Sequence, residues 1–99
     1  MGFVIRGLTL NNPYPAGQAF RFVYQVDNTG PDDPGHSDRV EMWGSDGSKP
    51  VDRTEHAPES VAGGSYGVFV DVPALAAGYY DVAITLADGT ATGSTVIVQ

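Results

Sequence analysis

A chain of 99 residues has room for one small domain (residues 1–99), and its lack of cysteine excludes disulfide bonds and thiolate zinc sites. Twelve acidic residues against five basic ones give a net charge of −7, which argues against nucleic acid as a partner because polyanions are repelled. No apolar run approaches the ~20 residues that cross a bilayer, so membrane insertion is not expected.

The start of the chain does not show the pattern of an export signal. After Met1 the sequence enters a strand-like stretch at once, without the basic start and apolar segment of a signal peptide. Two expectations about location stay open. The chain is either a protein of the cytoplasm or of a virion, or a domain of a longer secreted or cell-surface protein.

Seven strands are predicted, because short segments of alternating apolar and polar residues recur about every ten positions with turn residues between them. In chain order the predicted strands are 3–10, 18–28, 39–44, 50–54, 65–72, 79–87 and 91–98. The second alternates most clearly, with Phe22, Tyr24 and Val26 on one face. In the third, Val40 and Met42 are predicted to point inward.

Turn residues separate these segments. Ser45–Ser48 and Asp88–Gly89 predict turns, and Pro50 predicts an edge position for the fourth strand. No helix beyond a single turn at 73–77 is predicted. Seven strands with apolar inward rows can bury them by stacking two sheets. The predicted fold class is therefore all-β: an immunoglobulin-like, two-sheet antiparallel β-sandwich of about seven strands.

Two segments carry a resemblance to known sandwich domains. Leu75–Val82 has the form L-x-x-G-x-Y-x-V, which resembles the corner between the fifth and sixth strands of immunoglobulin-like sandwiches, with Tyr80 as the corner tyrosine. Val26–Gly30 has the form V-x-N-x-G, which resembles the end of the second strand in bacterial cell-adhesion-related (CARDB-like) domains. The resemblance covers nearly the whole chain. It implies a non-catalytic module of surface proteins that mediates adhesion or spaces other domains.

Acidic residues crowd the loop after the second predicted strand. Asp27, Asp32, Asp33 and Asp38 lie close in sequence, and Ca²⁺ prefers such oxygen ligands. The spacing lacks the D-x-D-x-D-G run and the later glutamate of an EF-hand. Prolines and glycine between the aspartates indicate a solvated, turn-rich loop instead. We therefore expect no cofactor, and these four aspartates are the candidate ligands if calcium binds.

Catalytic motifs are not found in the sequence. His36 and His56 are predicted to be solvated loop residues, because a zinc site would require both to converge with a carboxylate. The chain has no G-x-S-x-G elbow, no cysteine nucleophile and no phosphate-binding glycine loop. We predict that the protein is not an enzyme.

Aromatic residues at outward positions are the candidate binding residues. If Val40 and Met42 point inward, Trp43 points outward, and if Tyr80 is the corner residue, Tyr79 points outward as well. The third and sixth strands are neighbours in an immunoglobulin-like sandwich, which places Trp43 near Tyr79. Phe69 is a further outward candidate on the opposite sheet. Such residues bind a partner protein or a sugar ring, or they stabilise a cross-strand pair.

Apolar strand ends raise the question of self-assembly. The last strand carries apolar side chains on both faces at 95–98, and it either pairs with another chain or is covered by the first strand or a loop, which we favour. The predicted function is a non-catalytic, adhesion-type module for protein binding or assembly. The alternative is a decoration or accessory subunit of a phage virion or similar particle, and a carbohydrate-binding module is less favoured.

Overall fold

The computed structural model describes residues 2–99, which form seven strands and no helix. The strands are β1 (Phe3–Thr9), β2 (Phe20–Asn28), β3 (His36–Gly44), β4 (Val51–Ala57), β5 (Ser65–Val72), β6 (Gly78–Thr85) and β7 (Ala91–Val98). In this range there is consequently no helix with the length and apolar character needed to cross a membrane.

The strands build two antiparallel sheets, one in the order β1-β2-β5 and the other in the order β4-β3-β6-β7. This arrangement confirms the predicted all-β, immunoglobulin-like two-sheet sandwich. In constant-type immunoglobulin domains the fourth strand joins the first sheet, whereas here β4 pairs with β3 in the second sheet. The edge position predicted for the fourth strand from Pro50 is also confirmed.

The core lies between the sheets and consists of the inward rows that the sequence alternation predicts. Tyr24 and Val26 of β2 face Val40 and Met42 of β3, and all four side chains are fully buried. Burying one aliphatic side chain of this size stabilises the fold by ~1.5–3 kcal/mol. Because side chains alternate along a strand, each sheet also presents one outer face to solvent.

Tyr80 forms the predicted corner at the start of β6. Its hydroxyl donates a hydrogen bond of 2.7 Å to the backbone carbonyl of Ala76, four residues upstream. Leu75, in the same connection, is buried in the core. The bond and the buried leucine together hold segment 73–77 across the end of the sandwich. This segment adopts no helical turn.

The third and fourth strands are longer than predicted. β3 begins at His36 rather than at 39, and β4 continues to Ala57 rather than ending at 54, because His36 pairs with Ala57 at the far end of the ladder. Asp38 therefore lies in a strand, and its side chain is fully buried. The prediction of a solvated loop around Asp38 and His36 is wrong. Tyrosine hydroxyls of the opposite sheet donate hydrogen bonds to this buried carboxyl group, which offsets part of the free-energy cost of burying it.

The outer edge of β7 is covered by the segment that follows β1. The Tyr14 amide donates to the Ile97 carbonyl at 2.8 Å, and the Gln99 amide donates to the Tyr14 carbonyl at 3.0 Å. The Asn12 side chain donates to the Thr95 carbonyl and accepts from the Ile97 amide, each at 2.9 Å. The expectation that the last strand is covered rather than open is confirmed, and the cover is the loop that follows β1.

Candidate functional site

Trp43 and Tyr79 lie on the outer face of the four-stranded sheet, as predicted. Trp43 is opposite Asp81 in the ladder between β3 and β6, in a row that alternates with buried Met42. Trp43 is 37 % exposed and Tyr79 is 65 % exposed. Exposed aromatic side chains of this size are a common feature of binding surfaces because they bury much area when they are covered.

The two aromatic residues are diagonal neighbours rather than a direct cross-strand pair. Tyr79 is two positions from Asp81 along β6, and diagonal positions of a ladder are ~7–8 Å apart. No contact between the two rings is found in the described part of the chain. Tyr79 stands directly opposite Ile97 of β7, which is half-buried. We call Trp43, Tyr79 and Ile97 the outer aromatic patch.

Lys49 borders the patch at Trp43. Its ammonium nitrogen lies 5.3 Å from the centre of the Trp43 ring, within the range of a cation–π interaction. The same nitrogen contacts Glu41 Oε2 at 2.8 Å and Asp52 Oδ2 at 3.3 Å. The hydrogen bond to Glu41 raises the pKa of Lys49 above its usual range. Trp43 is therefore held beside a cation that is itself fixed by two carboxylates.

A small cleft opens next to Tyr79. It has a volume of about 140 Å³, and its walls come from segments 44–46 and 76–80. Gly44 and Gly78 keep its walls low because neither has a side chain. Elsewhere on this outer face, β3 and β4 carry charged side chains, among them Arg39, Glu41 and Asp52. On β6 and β7, apart from Asp81, the outward side chains are small: Ala83, Thr85, Ala91, Gly93 and Thr95. Protruding rings beside a cleft suit contact with another macromolecule.

Phe69, the third predicted binding residue, lies apart from the patch. It is 63 % exposed on the outer face of the three-stranded sheet, opposite Val23 of β2. The guanidinium carbon of Arg21 lies 5.4 Å from the centre of its ring. Phe69 is therefore an outward residue on the opposite sheet, as the sequence predicts, and belongs to a different surface.

The four aspartates considered for calcium point in different directions. Asp27 pairs with Arg6 at 3.0 Å, Asp32 accepts from the Ala62 amide at 2.8 Å, and Asp33 accepts from the Gly35 amide at 3.1 Å. Asp38 is inside the sandwich. Among residues 2–99, histidine, aspartate and glutamate side chains form no group of three or more that could hold a metal ion.

Sequence reasoning missed a buried polar network around Asp38. The hydroxyls of Tyr24 and Tyr66 both donate to Asp38 Oδ2, at 2.7 Å and 3.2 Å. His36 Nε2 lies within hydrogen-bond distance of the Tyr66 hydroxyl, at 2.9 Å. It is also 2.9 Å from Asp38 Oδ1, but the angles of this contact do not allow a hydrogen bond. His36 Nδ1 contacts Asp33 Oδ2 at 2.8 Å.

The network ties the two sheets together. Tyr24 and Tyr66 come from the three-stranded sheet, and Asp38 comes from the four-stranded sheet. Burial raises the pKa of the Asp38 carboxyl, against the opposing effect of the two hydroxyls, and it also raises the pKa of both tyrosines. Asp38 is closed to solvent, so the arrangement is not open to a substrate. The sequence could have indicated this network, because Asp38 is two residues before the inward-pointing Val40 and therefore lies on the same face of the strand.

A scan against protein-family models finds no match, and no curated protein matches the sequence significantly.

Proposed function

We propose that the protein is a non-catalytic binding module that holds a partner protein on the outer aromatic patch. The observation that carries this proposal is the pairing of two exposed aromatic side chains with a cleft beside Tyr79 on the outer face of one sheet. Binding energy at protein interfaces concentrates on such aromatic anchors. The cleft is large enough to receive one side chain of a partner.

The resemblance of Val26–Gly30 to the end of the second strand in CARDB-like domains supports an adhesion-type role for this module. In that role the fold supplies a rigid support, and the outer face carries the specificity. The exposed face of Trp43 also suits a stacked sugar ring, so carbohydrate binding is the outcome that the experiment must separate from protein binding.

Trp43 is the only tryptophan of the chain, so its fluorescence reports directly on the patch. The protein and its Trp43→Ala and Tyr79→Ala variants are each immobilised, and the proteins that each retains from a cell extract are identified by mass spectrometry. Each candidate, and a panel of soluble oligosaccharides, is then titrated against the free protein while Trp43 emission is recorded.

A partner that fits the proposal shifts Trp43 emission and binds Tyr79→Ala at least about tenfold more weakly. Phe69→Ala is the matched control, because it removes an equally exposed ring from the opposite sheet and should bind as the unmodified protein does. Equal binding to all variants contradicts the patch as the site. A shift with oligosaccharides alone replaces the protein partner with a sugar.

A further inference from the structure

The sandwich has four edge strands, and three of them are guarded against pairing with another chain. Over residues 95–99 the edge of β7 is covered by Asn12 and Tyr14. β4 carries charged side chains along its length, and β1 is interrupted by a shift in register between Ile5 and Gly7. Charges, irregular registers and covering loops are the devices that keep natural sheet edges from associating.

The remaining edge strand, β5, lacks these devices except at Asp71, where Arg53 covers the backbone carbonyl. It is eight residues long, is regularly paired with β2 from end to end, and contains Asp71 as its single charged residue. Arg21 neutralises Asp71 through a contact of 2.7 Å. In a chain with a net charge of −7, this edge is locally neutral, so a second acidic copy meets little repulsion there.

The direction of the backbone groups shows which residues of β5 have open hydrogen-bonding positions. The Gly64 carbonyl accepts from the Asn28 amide, so the backbone N–H and C=O groups of the even-numbered residues point toward β2. The Asp71 carbonyl accepts from the Arg53 side chain on the other side, so the backbone N–H and C=O groups of the odd-numbered residues point away from β2. Within the described chain, the open N–H and C=O groups of β5 are therefore those of Ser65, Gly67 and Phe69.

The outer row of β5 is complementary to itself. Gly67 leaves a gap, because a side chain placed there would meet nothing closer than the Val23 methyl group at 3.7 Å. Phe69, two positions along, protrudes with 63 % exposure. In an antiparallel pair of two β5 strands centred on Val68, Phe69 of each copy lies over Gly67 of the other.

We propose that β5 is a dimerisation edge, on which β5 of a second copy pairs antiparallel to form a continuous six-stranded sheet. Gly67 of one copy and Phe69 of the other then exchange backbone hydrogen bonds, and each ring covers the opposite glycine and the Val23 next to it. The contact lies on the other sheet from the outer aromatic patch, so a dimer would still present two copies of the patch.

Sedimentation velocity from about 10 µM to about 1 mM protein tests the proposal. We expect the sedimentation coefficient to rise from monomer to dimer. In the same range, hydrogen exchange followed by NMR should slow at the amides of Gly67 and Phe69, which face the open edge, and not at Val68. A chain that stays monomeric throughout, or protection that does not depend on concentration, overturns the proposal.

Two charge-introducing variants locate the contact. Phe69→Lys should weaken the dimer at least about tenfold, since it removes the ring and places a charge over Gly67 of the partner. Tyr79→Lys is the matched control, with nearly equal exposure on the opposite sheet, and should dimerise as the unmodified protein does. Both positions are exposed, so thermal unfolding of each variant checks that the fold is kept. Dimerisation lost in Tyr79→Lys and kept in Phe69→Lys assigns the contact to the other face and overturns the proposal.

Discussion

The Asp38 carboxyl group lies inside a small sandwich, where two tyrosine hydroxyls donate to its Oδ2 and its Oδ1 is buried without a hydrogen bond within residues 2–99. Tyr24 and Tyr66 reach it from the opposite sheet, so the same hydrogen bonds that solvate the carboxylate also join the sheets. A buried carboxylate without donors would be costly, whereas hydrogen bonds to a charged group each contribute ~1.5–3 kcal/mol. The network therefore links the two sheets by polar contacts inside the core.

The pH dependence of stability should report on Tyr24. Burial, followed by the hydrogen bond to Asp38, raises the pKa of this hydroxyl above its usual value of 10.0. The folded protein keeps the proton where the unfolded chain loses it, so the free energy of unfolding falls as the pH rises above 10.0. In Tyr24→Phe this alkaline fall should be less steep, by up to ~1.4 kcal/mol per pH unit.

Urea unfolding of both proteins between neutral and alkaline pH measures the effect. At neutral pH we expect Tyr24→Phe to be less stable by ~1–3 kcal/mol, because Asp38 loses a donor. Tyr79→Phe is the control, since its hydroxyl lies on an exposed outer face. Parallel pH profiles for Tyr24→Phe and the unmodified protein would contradict the role given to this hydroxyl.

The corner hydrogen bond should be visible as a loss of stability. Tyr80→Phe removes the bond to the Ala76 carbonyl and should lower the free energy of unfolding by ~1 kcal/mol, with the ring still packed in the core. Tyr79→Phe again serves as the neighbouring control. If the two variants have the same melting temperature, the hydroxyl of Tyr80 does not hold the corner.

At the scale of the element, the covering of β7 combines the backbone of Tyr14 with one side chain, that of Asn12. The Asn12 amide group occupies two backbone positions of β7, at Thr95 and Ile97, in the way a neighbouring strand would. The loop that follows β1 thereby closes the edge without forming a further strand. A strand with apolar residues on both faces is in this way withheld from other chains.

Removing that side chain should open the edge. Asn12→Ala should cost ~1 kcal/mol of stability and speed the exchange of the Ile97 amide, whose hydrogen bond it removes. Asn11→Ala is the matched control, because Asn11 contributes its backbone amide, to Tyr14, rather than its side chain. Unchanged exchange at Ile97 in Asn12→Ala would show that Tyr14 alone holds the cover.

Strand bounds were predictable where alternation is uninterrupted, and they were missed where polar residues continue a ladder. β5 and β7 have the predicted bounds because apolar or small residues run through them. The first residues of β3 are polar or charged, as are Glu55 and His56 near the end of β4, and these segments resemble a loop. They form strand because they pair with each other and because Asp38 finds donors on the opposite sheet, which is tertiary information.

The candidate site shows the same division. The outward directions of Trp43, Tyr79 and Phe69 follow from the alternation of side chains along single strands, and they were predictable. The cleft beside Tyr79 was not, because its walls combine two segments that are distant in sequence. Local alternation determines the direction of a side chain, whereas the shape of a surface depends on which segments the fold brings together.

For the whole molecule, the surplus of acidic residues sets how copies approach one another. All five basic side chains are already engaged by acidic ones, so the net charge of −7 is that of the uncompensated carboxylates. Two copies repel at a distance, and salt screens this repulsion. If β5 is the dimerisation edge, the dimer should become tighter as salt is added.

Sedimentation at low and near-physiological ionic strength measures this effect. We expect the dissociation constant of the dimer to fall by about severalfold between ~10 mM and ~150 mM salt. A dimer that weakens over this range would indicate contacts between opposite charges rather than a neutral strand edge. Phe69→Lys, which weakens the edge itself, provides the reference for a largely monomeric protein.

The covering of β7 also determines how the molecule responds to tension. The Gly2 carbonyl accepts from the Thr29 amide at one end of the sandwich, whereas Gln99 bonds to Tyr14 and Ala16 at the other. The segment at Tyr14 runs parallel to β7 at Val98. A force that pulls Gly2 and Gln99 apart therefore loads these backbone hydrogen bonds in shear, so they must break together rather than one after another.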